Sequence, residues 1–98
     1  MGQQVSTRPV VTALDSNTAR GLYQSAKAAW LAGQCEKSIR LAREANKLKY
    51  ARKHVSIIGA CACSLGRHQQ ARWAYNQLSG AYRRMLEQIC KAKGIELP

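Results

Sequence analysis

The sequence predicts an all-α fold of antiparallel helix-turn-helix repeats closed by a C-terminal capping helix. Between Ala51 and Leu78 runs Val55-x2-Ile58-Gly59-x2-Ala62, then Leu65-Gly66-x4-Ala71-x3-Tyr75. That order of apolar and small residues describes two helices joined by one tight turn. A fainter copy lies 33 positions upstream, aligned on Gly33 and Gly66, and repetition at this period indicates a stacked helical array, usually a binding scaffold. Alanine is abundant and β-branched residues are scarce, which favours helix over sheet.

Residues 1–16 carry Pro9, the β-branched stretch Val10-Val11-Thr12 and no helical period, and are expected to be a flexible N-terminal lead. The helical domain is expected over 17–94. Asp15-Ser16-Asn17-Thr18 is a cluster of good N-cap residues, so a first helix should start near Asn17 or Thr18 and reach about Ala32. It presents Leu22, Ala26 and Ala29, with Trp30 beside them, and Gly33 permits the left-handed conformation that ends it. A second helix fits Glu36 to Leu48: Ile39, Ala42, Ala45 and Leu48 share one side, while Lys37, Arg40, Glu44 and Lys47 take the other. Glu36 and Arg40 have the spacing and order of a favourable surface pair.

The third helix spans Arg52 to Leu65, ending at Gly66, and the fourth runs from His68 to about Leu78, stopped by Ser79-Gly80. A fifth, Ala81 to Lys93, places Tyr82, Met85, Leu86 and Ile89 on one stripe and is closed by Gly94. The expected units are therefore repeat one at 19–50, repeat two at 51–80, the capping helix at 81–93 and a tail at 95–98.

A chain of 98 residues, 46% hydrophobic and 21% charged, allows one small globular domain. No run approaches the roughly 18 apolar residues of a membrane span, and no early apolar run marks a secretory signal. Sixteen Lys+Arg against five Asp+Glu give a net charge of +11, which concentrates anionic partners without identifying them. The basic residues are spread along the chain, with doublets only at Arg52-Lys53 and Arg83-Arg84, so most read as a solvated face.

Four cysteines (Cys35, Cys61, Cys63, Cys90) raise the question of a disulfide or a metal. Cys61-x-Cys63 fits neither, because residues two apart on a helix point to different sides. His54 and His68 do not supply paired zinc spacing. Small buried thiols are the expectation, and with them a reducing, cytoplasmic setting. The acids Asp15, Glu36, Glu44, Glu87 and Glu96 form no obvious carboxylate pair, and no Cys-His arrangement is fixed by spacing. The chain is therefore expected not to be an enzyme, with no cofactor and no metal.

These residues resemble the tetratricopeptide repeat family, whose unit of about 34 residues follows W-x2-L-G-x2-Y, then A-x3-F, then P. In the second unit Val55 replaces the first aromatic and Ile58-Gly59 the Leu-Gly. Ala62 takes the Tyr position, and Ala71 and Tyr75 fill A-x3-F. In the first unit Leu22, Ser25, Ala26 and Ala29 match one helix, and Ser38, Ala42 and Ala45 the other. Tyr50 stands where proline is expected, and the second unit lacks that proline after Leu78. More loosely, Arg83-Arg84-Met85-Leu86-Glu87-Gln88-Ile89-Cys90 followed by Gly94-Ile95-Glu96-Leu97 is similar to the C-terminal tails of some bacterial serine/threonine protein kinases. No phosphate-gripping loop or catalytic Asp motif of a kinase is present.

The resemblance implies a right-handed superhelical stack in which the first helix of each unit lines a concave groove. The groove positions become Arg20, Tyr23, Lys27 and Trp30 in unit one and Lys53, Ser56, Ala60 and Cys63 in unit two. A basic, aromatic-containing groove suits an acidic peptide or protein partner, against the alternative that Tyr23 and Trp30 pack as core. Trp73 is expected to pack beneath the last helix. Some family members clamp a chaperone-tail carboxylate with Lys and Asn, but Tyr23, Lys27 and Ile57 hold those positions here, so the clamp is not supported. A second functional class is nucleic-acid binding, with Tyr23, Trp30, Trp73 and Tyr82 as stacking platforms. Against it stand the absence of a glycine-arginine tract and of a contiguous basic stripe. Two units are fewer than the three of a comfortable stack, so a homodimer is one expected assembly, and a piece of a longer array is another reading. Met1-Gly2-x3-Ser6 also fits the signal for myristoylation of Gly2, a short match that arises often by chance.

Overall fold

The computed structural model describes residues 17–97; the expected lead and the Gly2 signal lie outside the described residues. Among the described residues the regular elements are five helices: α1 (Ala19–Leu31), α2 (Cys35–Leu48), α3 (Arg52–Ser64), α4 (His68–Gln77) and α5 (Gly80–Ala92). Each falls within one or two residues of its place in the sequence reading. Among the described residues no helix is long and apolar enough to cross a membrane.

Helix ends explain the alternation. Thr18 caps α1, its Oγ1 accepting the Gly21 N–H at 2.9 Å. Helices α1, α3 and α5 then stop alike, at Gly33, Gly66 and Gly94 with φ of 79°, 74° and 80°. The residue after each glycine donates its N–H back across the final turn: Gln34 to Ala29 O at 2.8 Å, Arg67 to Ala62 O at 2.8 Å and Ile95 to Cys90 O at 2.9 Å. This is the Schellman closure, in which a left-handed residue without Cβ satisfies carbonyls the helix leaves open. In contrast, α2 and α4 run out into extended backbone at Lys49 and Leu78. Tight glycine turns and extended links therefore alternate along the chain.

The core is organised around α3, which packs against α1, α2, α4 and α5. Every residue from His54 to Cys63 is buried, the signature of a helix enclosed on all sides. One apolar cluster joins Ala26, Ile39, Ala42, Ile58 and Cys61; a second joins Val55, Ala62, Ala71, Tyr75, Leu86 and Cys90. Trp30 packs against both. Close approach depends on small residues. A Cβ at Gly59 would lie 2.8 Å from the Ala74 Cβ and 2.9 Å from both Leu86 δ carbons. Ser38, fully buried, ties α2 to α1 by donating its hydroxyl to Ala26 O at 2.7 Å.

Three expectations are corrected. Cys63 on α3 and Cys90 on α5 form a disulfide, so only Cys35 and Cys61 are buried thiols. The spacing argument excluded pairing within one helix, whereas this partner arrives from a helix 27 positions away. The inference of a reducing compartment loses half of its thiols with it. Burial pushes the remaining Cys61 thiol up to about 12, with Cys35 beside it adding to the effect, so it is an inert core group. Glu36 pairs with Arg67 at 2.7 Å instead of with Arg40, because the α3–α4 turn brings Arg67 alongside the start of α2. Leu48, the last residue of α2, is 58% exposed, and Ala45 is the last position of that stripe to be buried.

Candidate functional site

The sequence-predicted groove residues divide into open walls and a closed floor. Arg20, Lys27 and Lys53 are exposed, and Tyr23 and Trp30 are half-buried. Ser56, Ala60 and Cys63 are buried and offer no open surface to a partner. Their side of α3 is enclosed by α1 on one flank and α5 on the other, with Cys63 consumed by its bond to Cys90. The Ser56 hydroxyl is used internally, donating to Lys53 O at 2.8 Å.

Of the predicted residues Arg20 and Lys53 meet at one end, while Lys27 and Trp30 lie farther along α1 and outside this cleft. Arg20 from the first turn of α1, Lys49 from the end of α2 and Lys53 from the first turn of α3 surround a cleft of about 470 Å³, with Gln24 in its wall and His54 at its base. The α1–α2 and α2–α3 reversals make this convergence inevitable, because they return the starts of α1 and α3 to the same end of the stack. Among the described residues no carboxylate belongs to the lining. Lys53 Nζ sits 4.5 Å from the Tyr23 ring centroid, an arrangement that holds the ammonium in place without neutralising it. The Tyr23 ring in turn meets the His54 ring at 5.6 Å.

His54 is positioned from below. Its Nδ1 lies 3.1 Å from Asn46 Oδ1 on α2, and the same oxygen accepts the Ala51 N–H at 3.2 Å. Asn46 thus fixes both the entry to α3 and the imidazole. Burial holds the His54 pKa below its ordinary value, the neighbouring Lys53 charge adds to this, and a backbone hydrogen bond with Lys49 opposes it. The Tyr23 pKa is raised by burial and by Tyr82, which approaches from α5. The imidazole is thus held toward its neutral form beside the cations Arg20, Lys49 and Lys53. Among the described residues no group of three or more His, Cys, Asp or Glu is arranged to hold a metal ion.

Sequence reasoning found Arg20 and Lys53 but missed Lys49, Gln24 and His54. Lys49 lies past the last apolar position of its helix, so no periodicity points to it. Trp73 is a further correction. It is 43% exposed and lines a separate cleft between α2 and α4, not the underside of α5. Small Ala71 and Ala74 fill the inward side of α4, and Trp73 falls between them on the outward side.

With this geometry in hand, comparison with known proteins adds no relative: no family model, curated protein or solved structure matches the chain.

Proposed function

We propose that the chain is a non-enzymatic protein-protein interaction module, a tetratricopeptide-like scaffold that receives an acidic segment of a partner protein. The observation that carries the reading is the cleft where Arg20, Lys49 and Lys53 converge with no carboxylate among the described residues of its lining. A cluster of one sign in a concave site captures an oppositely charged segment and orients it. The Tyr23 ring beside it and Lys27 one helical turn farther along α1 extend the contact along the groove. The repeat reading is supported by matching Schellman ends at Gly33 and Gly66 and by α3 packing with both α1 and α5. It is supported equally by Gly59, whose missing side chain allows the close crossing. In this reading α5 is the cap of the stack, and exposed Leu31 and Leu48 are edges at which a further copy or repeat would join.

The test is a titration of the whole chain against an array of Asp/Glu-rich peptides, repeated with Arg20→Glu, Lys27→Glu and Lys53→Glu. The best acidic peptide is expected to lose at least about tenfold in affinity in the Arg20 and Lys53 variants, and less in Lys27→Glu. Unchanged capture in all three charge reversals would remove the groove.

A further inference from the structure

The second cleft lies between α2 and α4. Its floor is Ile58 of the enclosed helix α3, and its walls are Arg43 from α2 and Gln69, Gln70 and Trp73 from α4. The cleft has a volume of about 480 Å³. Helices α2 and α4 do not pack on one another; instead they are bridged at two points. Near the start of both, Arg67 grips Glu36 at 2.7 Å; near their ends, the Tyr50 hydroxyl reaches Gln77 Oε1 at 3.5 Å. The space between is consequently a bounded pit, open outward, and not a channel that a long helix could lie along.

Its chemistry is specific. Trp73 offers a large ring face, being 43% exposed. Gln69 and Gln70 offer amide donors and acceptors. Arg43 offers a cation in the lining, and Arg72, next to Trp73 and exposed, offers another. Helix α4 carries no acidic residue, and the acids of α2 are occupied, Glu36 by Arg67 and Glu44 by Lys47 at 3.7 Å. A ligand that satisfies this lining needs a flat π face, a hydrogen-bonding edge and a negative backbone within the width of one pit. An acidic peptide supplies the charge but not the flat, polar-edged group. A nucleotide in an unpaired strand supplies all three.

We propose that the α2–α4 cleft is a stacking site for a base of single-stranded nucleic acid, with Trp73 as the platform, Gln69 and Gln70 on the base edge, and Arg43 and Arg72 on the phosphates. A duplex, whose bases are already stacked, does not enter. The site is separate from the Arg20–Lys53 cleft and stands or falls independently of it.

The experiment titrates the whole chain with an oligothymidylate of about ten nucleotides, with an abasic oligomer of the same length, with a duplex and with an oligoglutamate. Tryptophan fluorescence and salt dependence are read in each. The oligothymidylate is expected to quench the fluorescence and to bind at least about tenfold more tightly than the abasic strand. Trp73→Leu should remove the quenching and that preference, Trp73→Tyr should keep most of both, and Arg43→Gln should lower the salt slope by about one. Equal affinity for the base-bearing and abasic strands would overturn the proposal on the unaltered protein, with no variant needed. So would oligoglutamate binding that depends on Trp73, which would assign the cleft to an acidic peptide.

Discussion

Helices α1 and α3 are built to one plan and meet different fates. Each has 13 residues, and each ends at a left-handed glycine with the same returning hydrogen bond. Yet α1 buries only Gly21, Leu22, Ala26 and Ala29, whereas α3 buries every position from His54 to Cys63. The difference is in the neighbours, not in the helix. Among the described residues α3 is covered by all four other helices, while α1 packs mainly on α2 and α3. Place in the stack decides burial, and it also decides where function can reside. The enclosed helix supplies a buried lining residue to each cleft (Ile58 to one, His54 to the other) and Lys53 from its exposed first turn, and its less covered neighbours supply the remaining charged side chains.

The largest expected effect comes from truncating one apolar residue in each helix. Ile58→Ala, at a position 1% exposed between α2 and α4, should cost about 2–5 kcal/mol, the range for emptying a core site that cannot collapse. Leu31→Ala, at a position 73% exposed near the end of α1, should stay within about 0.5 kcal/mol of the parent. Urea unfolding of the two variants measures the contrast, and comparable losses would mean that Leu31 is covered in solution by something outside the described residues.

A smaller effect separates packing from backbone conformation at the glycines. Gly59→Ala forces a methyl to within 2.8 Å of the Ala74 Cβ, which is part of a rigid helix and cannot swing aside. A loss of about 1–3 kcal/mol is expected from overpacking. At Gly33 a Cβ would meet nothing within 4 Å, but φ is +79°, so Gly33→Ala should cost only about 1 kcal/mol from the left-handed conformation alone. Thermal unfolding of both variants decides the order; a reversed ranking would show that α4 and α5 yield around α3 more readily than their packing implies.

Much of this plan was readable before the structure, for definable reasons. Helix limits followed from Thr18, Gly33, Gly66 and Gly94, residues whose local chemistry acts within a turn of themselves. The apolar stripe of an outer helix was readable because only one of its faces is buried. What was not readable depends on which helices meet. The Cys63–Cys90 bond, the Glu36–Arg67 pair and the outward turn of Trp73 each join or expose elements that no local spacing relates. The predicted groove shows both outcomes in one list. Arg20 and Lys53 stand at an open end, whereas Ser56, Ala60 and Cys63 share the same helical register but are closed over by α5.

The gentlest probe of the contrast is pH, because the enclosed helix contains a buried imidazole and α1 contains no histidine. The His54 pKa is depressed from 6.5 by burial first and by Lys53 second. Between that lowered value and 6.5 the unfolded chain binds more protons than the folded one, so stability rises with pH across the window. The contribution is complete above about pH 6.5 and is lost as the pH falls toward the folded pKa. Urea midpoints measured from about pH 7.5 down to about 5 should therefore decline, and His54→Gln should flatten the decline over that range. A flat profile in the parent chain would mean that the imidazole is not held neutral by its surroundings. The same linkage reaches the cleft above it. An acidic segment bound among Arg20, Lys49 and Lys53 offsets the cationic field on His54 and raises its pKa, so by reciprocity that segment should bind more tightly as the pH falls through the window. An affinity that is independent of pH in the parent chain, with His54 still titrating, would place the anion out of reach of the imidazole and shift the contact along the groove toward Lys27.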